Sequence, residues 1–422
     1  MKLADMAQYP YVAANFCDME GNPVLDGYVI LEAGGCRIAF VGAATPETFT
    51  KSTPAYFMDD EGNFIYDFSQ GEDGEKLYNA VQSCVDAAVA EGADYVVVLS
   101  HLGIDAISSP YTSSELIENT TGIDVVLDGH SHSVLEQEVV LNAAGEEVLL
   151  SSTGTKLERV GALVIAGDGS LSTKLHTESI FQDDEAAEYI ASVKAQYEAL
   201  LNEVVAVSEV SLYVNDPETG ARMVRSCETN MADLCADAYR AATGADIAMV
   251  NGGGVRAGIE IGDVTYGNML SVHPFGNTVC MVEATGQEIL DALEIGIMGL
   301  PGEDGSFQHV SGMSYEVNTA IPTSVVLDTE GMFVEVAGER RVSNVLVNGE
   351  PIDPEKTYKL ASSNYMLKLA GGGISMFQDN ALLLDEIMLD NQALIQYIVE
   401  ELGGVVGEEY ADPYGEGRIV VK

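Results

Sequence analysis

Basic residues are scarce in this chain. Lys and Arg number 19 against 67 Asp and Glu, a formal net charge of −48 over 422 residues. So few cations cannot track a nucleic-acid backbone, where each phosphate contact needs a Lys or Arg to displace its counterion. An anionic membrane surface is excluded on the same ground. A small anionic ligand is not, provided the few arginines converge on it. Acidity of this degree in itself serves solubility. Long apolar runs are also missing, so no segment reads as a helical membrane span. The opening MKLADMAQYPYVAANF lacks the basic start and apolar stretch of a signal peptide and reads like the middle of a domain. Cysteines are few: Cys17, Cys36, Cys84, Cys227, Cys235 and Cys280. None forms a CxxC pair, which excludes a zinc ribbon, and their apolar surroundings suit small core residues.

What is present is ample apolar material, 47% of residues, in a chain long enough for two domains. GYVILEAG near 27–34 and CRIAFVGAA at 36–44 read as strands. KLYNAVQSCVDAAVAEGA at 76–93 carries apolar residues at helical spacing with a Gly near its end. YVVVLSHLG follows, then the polar SSELIENTTG, then DVVLDGHSH. Continuously apolar strands alternating with helices predict an α/β layered sheet. EEVLLSSTGT and RVGALVIAG are further strands. Residues 183–205 read as one long amphipathic helix opened by acidic residues, connecting a first domain (1–182) to a second (206–422). In the second, ETNMADLCADAYRAATG and GQEILDALEIGI are helices. DIAMVNGGG is a strand running into a glycine loop, KTYKLASSNYML is a strand, and GEDGSFQHVSG reads as a loop.

Only six histidines occur, yet His101 ends one apolar strand while His130 and His132 follow another. In layered α/β sheets, ligands bind beyond the carboxyl ends of strands. Neutral imidazole there suits a divalent transition metal. On an extended segment His130 and His132 share one face; on a turn they address two neighbouring ions.

SHLG at 100–103 and GHSH at 129–132 resemble the late metal-binding motifs of calcineurin-like metallophosphoesterases. RMVRSCETNMADLCADA at 222–238, NGGGVR at 251–256, TYGNMLSVHPFGN at 265–277 and SSNYMLKLAGGGISMF at 362–377 together resemble the C-terminal domain of the 5′-nucleotidase family. That family includes UDP-sugar hydrolases and 2′,3′-cyclic-nucleotide phosphodiesterases. The resemblance covers nearly the whole chain. It implies an incomplete metallophosphoesterase sandwich followed by a mixed α/β substrate-binding domain, and hydrolysis of nucleotide phosphoesters with two divalent ions of the Zn, Mn or Co type.

By that resemblance His101 and His130 ligate one metal and His132 the other. Asn251 contacts the base, Gly253 in the glycine loop brings backbone close to the ligand, and Arg225 and Arg256, with Arg222 as a third, reach the phosphate or ribose. Phe275 is one half of an aromatic clamp on the base and Tyr365 the other. The resemblance also implies an extracytoplasmic location, and a small nucleotide rather than a nucleic-acid polymer as partner.

Two departures qualify it. The family's leading Asp-His strand, bridging Asp and Asn-His loop have no counterpart, so the expected catalytic His and Asp lie upstream of Met1. The ligand set is then incomplete, the sheet is left with a bare edge, and the chain as written is expected to hydrolyse little or nothing. The intact SHLG and GHSH favour a longer natural protein over a decayed one. In LAGGGISMF, Gly372 and Ile374 stand where the family carries an aspartate and an aromatic, which puts base affinity in question. The rival expectation is a non-hydrolytic nucleoside- or nucleotide-binding module built on the C-terminal domain. A weaker third is a histidine-based metal binder.

Overall fold

A computed structural model describes residues 2–59, 63–71, 73–178 and 182–422. The expected first domain, 1–182, therefore includes Met1, 60–62, 72 and 179–181 outside the described residues. The chain gathers into two compact units, Met1–Phe49 with Ala55–Gln182, and Thr50–Pro54 with Asp183–Lys422.

The first unit is built on β1 (Tyr28–Ala33), β2 (Cys36–Ala44), α1 (Glu75–Ala90), β3 (Tyr95–His101), α2 (Ser113–Glu118), β4 (Val125–Asp128), β5 (Val134–Leu141) and β6 (Glu147–Thr153). These strands form one six-stranded sheet in the order β1-β2-β3-β4-β6-β5. β2, β3, β4 and β6 are mutually parallel, and β1 and β5 are antiparallel edges. Parallel strands need crossovers that cover the sheet, which is why Val96, Val97 and Val98 are all buried. α1 supplies Leu77, Tyr78, Val81, Val85 and Ala88 from one face to a core with Ala39, Val41, Val96, Val98, Val126 and Leu150. Thr112 starts α2 with a reciprocal cap: its Oγ1 accepts from Glu115 N, and Glu115 Oε2 accepts from Thr112 N. A hairpin of β7 (Val160–Ile165) and β8 (Leu171–His176) follows.

In the second unit α3 (Asp184–Leu201) leads into β9 (Val204–Ser208). The helix expected over 183–205 is thus too long. Asn202 caps it, and the β-branched Val204 and Val205 start a strand paired with 262–265 and 405–406. Next come α4 (Asn230–Thr243), β10 (Ile247–Asn251), α5 (Tyr266–Val272), β11 (Val279–Thr285), α6 (Gly286–Gly296), β12 (Gln308–Ser311), β13 (Met313–Val317), β14 (Val342–Val347), β15 (Thr357–Ser363), α7 (Asn364–Leu367), β16 (Leu382–Leu384), α8 (Asp390–Gln396) and β17 (Ile419–Val421). A mixed five-stranded sheet runs β12-β10-β15-β11-β16. The stretch GEDGSFQHVSG is not wholly loop: Gln308–Ser311 pair antiparallel with β10. Its polar letters hid a strand because Gln308 and His309 are themselves buried. α4 packs Met231, Leu234, Cys235, Ala238 and Tyr239 onto one face of this sheet, while α6 packs Ile289, Ala292 and Leu293 into a separate cluster. All six cysteines are free thiols, and Cys17, Cys235 and Cys280 are buried.

α1 should be held by its apolar face, whereas α3 buries no residue at all. Leu77→Ala is expected to cost ~2–5 kcal/mol through its cavity, against under ~1 kcal/mol for Val193→Ala on α3. Denaturant unfolding of the two variants checks this; equal costs would contradict the packing described.

Candidate functional site

Adjacent parallel strands end side by side, so the loops after β2, β3 and β4 meet at one edge of the first sheet. His101 closes β3 and His130 follows β4, with ring centroids 5.2 Å apart. Gly129 permits this approach, since a Cβ there would lie 3.2 Å from His101 Nδ1. His130 and His132 have φ of 79° and 59°, left-handed conformations that non-glycine residues rarely adopt. GHSH is therefore a turn and not an extended segment with both rings on one face. The loop after β2 adds Glu47, whose Oε2 lies 2.5 Å from His130 Nε2. Behind them, Asp128 Oδ1 accepts from Ser113 Oγ at 2.7 Å and Gly103 N at 3.1 Å. Asp128 Oδ2 is buried without a hydrogen-bond partner. Burial pushes the Asp128 carboxyl up, the hydrogen bonds from Ser113 and Gly103 opposing it. Burial, with His130 alongside, pushes His101 down, so its ring is neutral at pH 7 and offers a lone pair.

These donors suit a divalent ion in kind. Among the described residues, however, no three His, Cys, Asp or Glu side chains gather as a group able to hold an ion. The structure brings His101 and His130 together with Glu47 but does not make His132 part of a closed set. The residues described do not fit the two-ion site that the resemblance implies.

The second unit assembles its residues around the loop that leaves β10. Gly252 N donates to Phe307 O at 2.7 Å and Gly253 N to Gly305 O at 2.8 Å. A Cβ on Gly252 would sit 2.1 Å from Val224 O, so only glycine lets these backbones touch. Asn251 Nδ2 donates to Gly305 O at 3.1 Å; in this structure the side chain braces the loop. The same loops carry Arg222, Arg225 and Arg256. Burial first, then the charges of Arg222 and Arg256, push Arg225 down to about 10, with Glu303 and Asp304 opposing. Burial and Arg222 push Arg256 down as well. Three guanidinium groups thus stand close enough to oppose one another's charge. Glu303 pairs with Arg222, its Oε2 2.5 Å from Arg222 Nε. Arg256 Cζ stands 5.7 Å from the centroid of the Phe275 ring, and that ring is 61% exposed, a large open aromatic face.

Tyr365, at the start of α7, lies against Gly371: a Cβ there would fall 2.2 Å from the ring. Burial pushes its hydroxyl up to about 12. One face of this ring is therefore covered, unlike that of Phe275. Gly372, where the resemblance expects aspartate, has φ of 70°, and a Cβ there would meet Ser306 Oγ at 2.3 Å. An aspartate would need both a strained backbone and a displaced serine.

Sequence reasoning passed over His273, two residues before Phe275. It is buried, with Nδ1 3.2 Å from Gly254 O, and burial pushes it down to about 4. The neutral ring donates to that carbonyl, while Arg256 N donates to Val272 O at 2.9 Å. Together these bonds tie the glycine loop to the segment bearing Phe275. Asp390 Oδ2 is 3.8 Å from His273 Nδ1. Glu47 was likewise passed over; its only signal was a carboxylate in TPET just beyond a strand end.

Residues 204–379 match the family described as 5′-nucleotidase, C-terminal domain, so the resemblance carried by NGGGVR and its companion motifs is borne out. The chain is 28% identical over 401 residues to the trifunctional nucleotide phosphoesterase protein YfkN of Bacillus subtilis, covering 93% of this chain and 25% of that protein. It is 23% identical over 425 residues to cell wall protein Lmo0130 of Listeria monocytogenes, covering 92% of this chain and 50% of that one. The solved 5′-nucleotidase precursor from Thermus thermophilus is similar with a TM-score of 0.78 at 26% identity, covering all of this chain and 80% of that structure. The chain thus spans a quarter of YfkN and half of Lmo0130. Among the described residues no helix is long and apolar enough to cross a membrane.

Burial raises Asp390 to about 7, so the folded state holds its proton where the unfolded chain, titrating near its ordinary value of 3.8, has lost it. The folded state then binds more protons than the unfolded one between about pH 4 and 7, and stability falls as pH rises through that window. Asp390→Asn is expected to raise Tm by several degrees at pH 8, with the gain vanishing near pH 4. A gain of equal size at both pH values would contradict the assignment.

Proposed function

We propose that this relative of the 5′-nucleotidases is a nucleotide phosphoester hydrolase of the 5′-nucleotidase or 2′,3′-cyclic phosphodiesterase type, acting outside the cytoplasm. The observation that carries the reading is the convergence of Arg222, Arg225 and Arg256 on one glycine loop in a chain of net charge −48. Glu303 and Asp304 offset part of this charge, and an anionic ligand would offset the rest. Arg225 and Arg256 take the phosphate, and guanidinium offers it paired N–H donors. Phe275 stacks on the base through its open face, with Tyr365 as the other side of the clamp. Gly252, Gly253 and Gly254 let ligand approach the backbone, and His273 holds that loop to the Phe275 segment. All these residues bind substrate and transition state alike, so their loss acts on KM before kcat. The family's divalent ions, of the Zn, Mn or Co type, belong to this reading as an added requirement, since His101, His130 and His132 do not by themselves form a site for them among the described residues.

A second reading is favoured by one specific observation: every residue just named for nucleotide recognition lies in the second unit. Binding of a nucleoside or nucleotide without turnover needs nothing more.

The test is phosphate release from AMP by the purified chain with manganese, zinc or cobalt added, beside calorimetric binding of adenosine and AMP. Hydrolysis supports the first reading, and binding without release supports the second. Phe275→Ala is expected to weaken adenosine binding by ~1–3 kcal/mol. Arg225→Gln should weaken AMP far more than adenosine. Equal losses for both ligands would remove the phosphate from Arg225, and no binding of either ligand would remove both readings.

A further inference from the structure

At the other end of β10 from the glycine loop, two adjoining cavities of about 330 and 420 Å³ share Asp237, Arg240 and Ser311. They are shallow and open to solvent, wide enough to admit a small polar group. Arg240, on α4, is unusual among the nine arginines of the chain. Arg159, Arg222, Arg340 and Arg418 each pair with a carboxylate. Arg37 and Arg341 are taken up by backbone carbonyls. Arg225 and Arg256 belong to the site proposed above. Arg240 alone remains. Its Nη2 donates to the neutral amide oxygen of Asn348 at 3.2 Å, and its Nε is buried with no hydrogen-bond partner. Among the described residues it forms no ion pair.

The local structure is arranged to keep it so. Gly312, with φ of 73°, leaves room for the guanidinium: a Cβ there would lie 2.8 Å from Arg240 Nε. Asp237, the acid one helical turn before Arg240, is already satisfied. Arg418 Nη1 and Nη2 each donate to it at 2.8 Å, Ser311 Oγ donates at 2.6 Å and Tyr410 OH at 2.8 Å. Glu416 is held by Arg418 as well, at 2.9 Å. The carboxylates beside Arg240 are therefore occupied by another cation. An arginine left without a carboxylate, in a chain with 67 of them, marks a place for an acceptor from outside.

We propose that this pocket binds a small oxyanion, the carboxylate or phosphate of a polar metabolite, on Arg240. The formal charges of Arg240, Arg418, Asp237 and Glu416 cancel, so recognition rests on the donor geometry of one guanidinium and favours a singly charged group over a polyanion. The amide nitrogen of Asn348, which makes no hydrogen bond among the described residues, is the neighbouring second donor.

The experiment is a thermal-unfolding titration of the full chain with inorganic phosphate and, separately, acetate, at constant ionic strength. It is run in the Arg225→Gln/Arg256→Gln background, which silences the nucleotide site. Binding at ten times Kd raises Tm by about 2–4 °C. A shift with phosphate assigns a phosphoryl ligand, and one with acetate a carboxylate. Adding Asn348→Asp should abolish either shift without lowering the Tm of the ligand-free protein, because the new carboxylate pairs with Arg240. Arg240→Gln should abolish it too. No shift with either anion, or a shift that survives Asn348→Asp, overturns the proposal. A shift seen only while Arg225 and Arg256 are intact also overturns it and leaves the nucleotide reading standing. A shift lost in Asn348→Asp, where the chain with Arg225 and Arg256 intact also binds no AMP, supports this site and rejects the other.

Discussion

Like charges brought together in a folded protein raise its energy unless something of opposite sign shares their field. In this chain that constraint singles out one place. Positive groups are outnumbered more than three to one, at 19 against 67, and acidic partners are within easy reach almost everywhere. Even so, Arg225 and Arg256 are held half-buried beside Arg222, with Glu303 paired to Arg222 and Glu303 and Asp304 offsetting only part of the charge at Arg225. The backbone around them is closely packed: Gly252 and Gly253 touch Val224 and Gly305, and His273 fixes the carbonyl of Gly254. The open ring of Phe275 sits next to Arg256. Phosphate recognition and base stacking are the roles proposed for these residues, in keeping with the match of residues 204–379 to the 5′-nucleotidase C-terminal domain.

The first unit obeys a different constraint, the alignment of parallel strands. Because β2, β3 and β4 are neighbours running the same way, whatever follows each strand arrives at the same edge. That geometry collects Glu47, His101 and His130, with Asp128 half-buried behind. The left-handed turn at His130 and His132 is strain of the kind that persists where surrounding structure over-determines it. The two units therefore contribute different chemistry, imidazole and carboxylate in one and guanidinium and aromatic surface in the other.

Much of this was legible in the residues. The apolar runs YVVVLSH and DVVLD announced strands covered on both faces, and their histidine endings announced a shared edge. The arginines stood out through scarcity alone. What escaped reading was polar material put to structural use. Gln308 and His309 are buried in β12 but look like loop residues. His273 was overshadowed by Phe275. Glu47 is one acid among many until the pairing of β2 with β3 gives it a position. Val204 and Val205 continued an amphipathic pattern past the true helix end at Leu201, because only pairing with distant strands marks them as β. The orientation of Tyr365 against Gly371 depends on a close backbone approach that no local pattern encodes.

The most direct test of the central claim, that the arginine cluster and glycine loop form a nucleotide site, is a crystal structure of the chain grown with AMP. The account predicts phosphate oxygens within hydrogen-bond distance of Arg225 and Arg256, with the adenine ring stacked on Phe275. Nucleotide bound elsewhere, with both guanidinium groups facing only water, would contradict it.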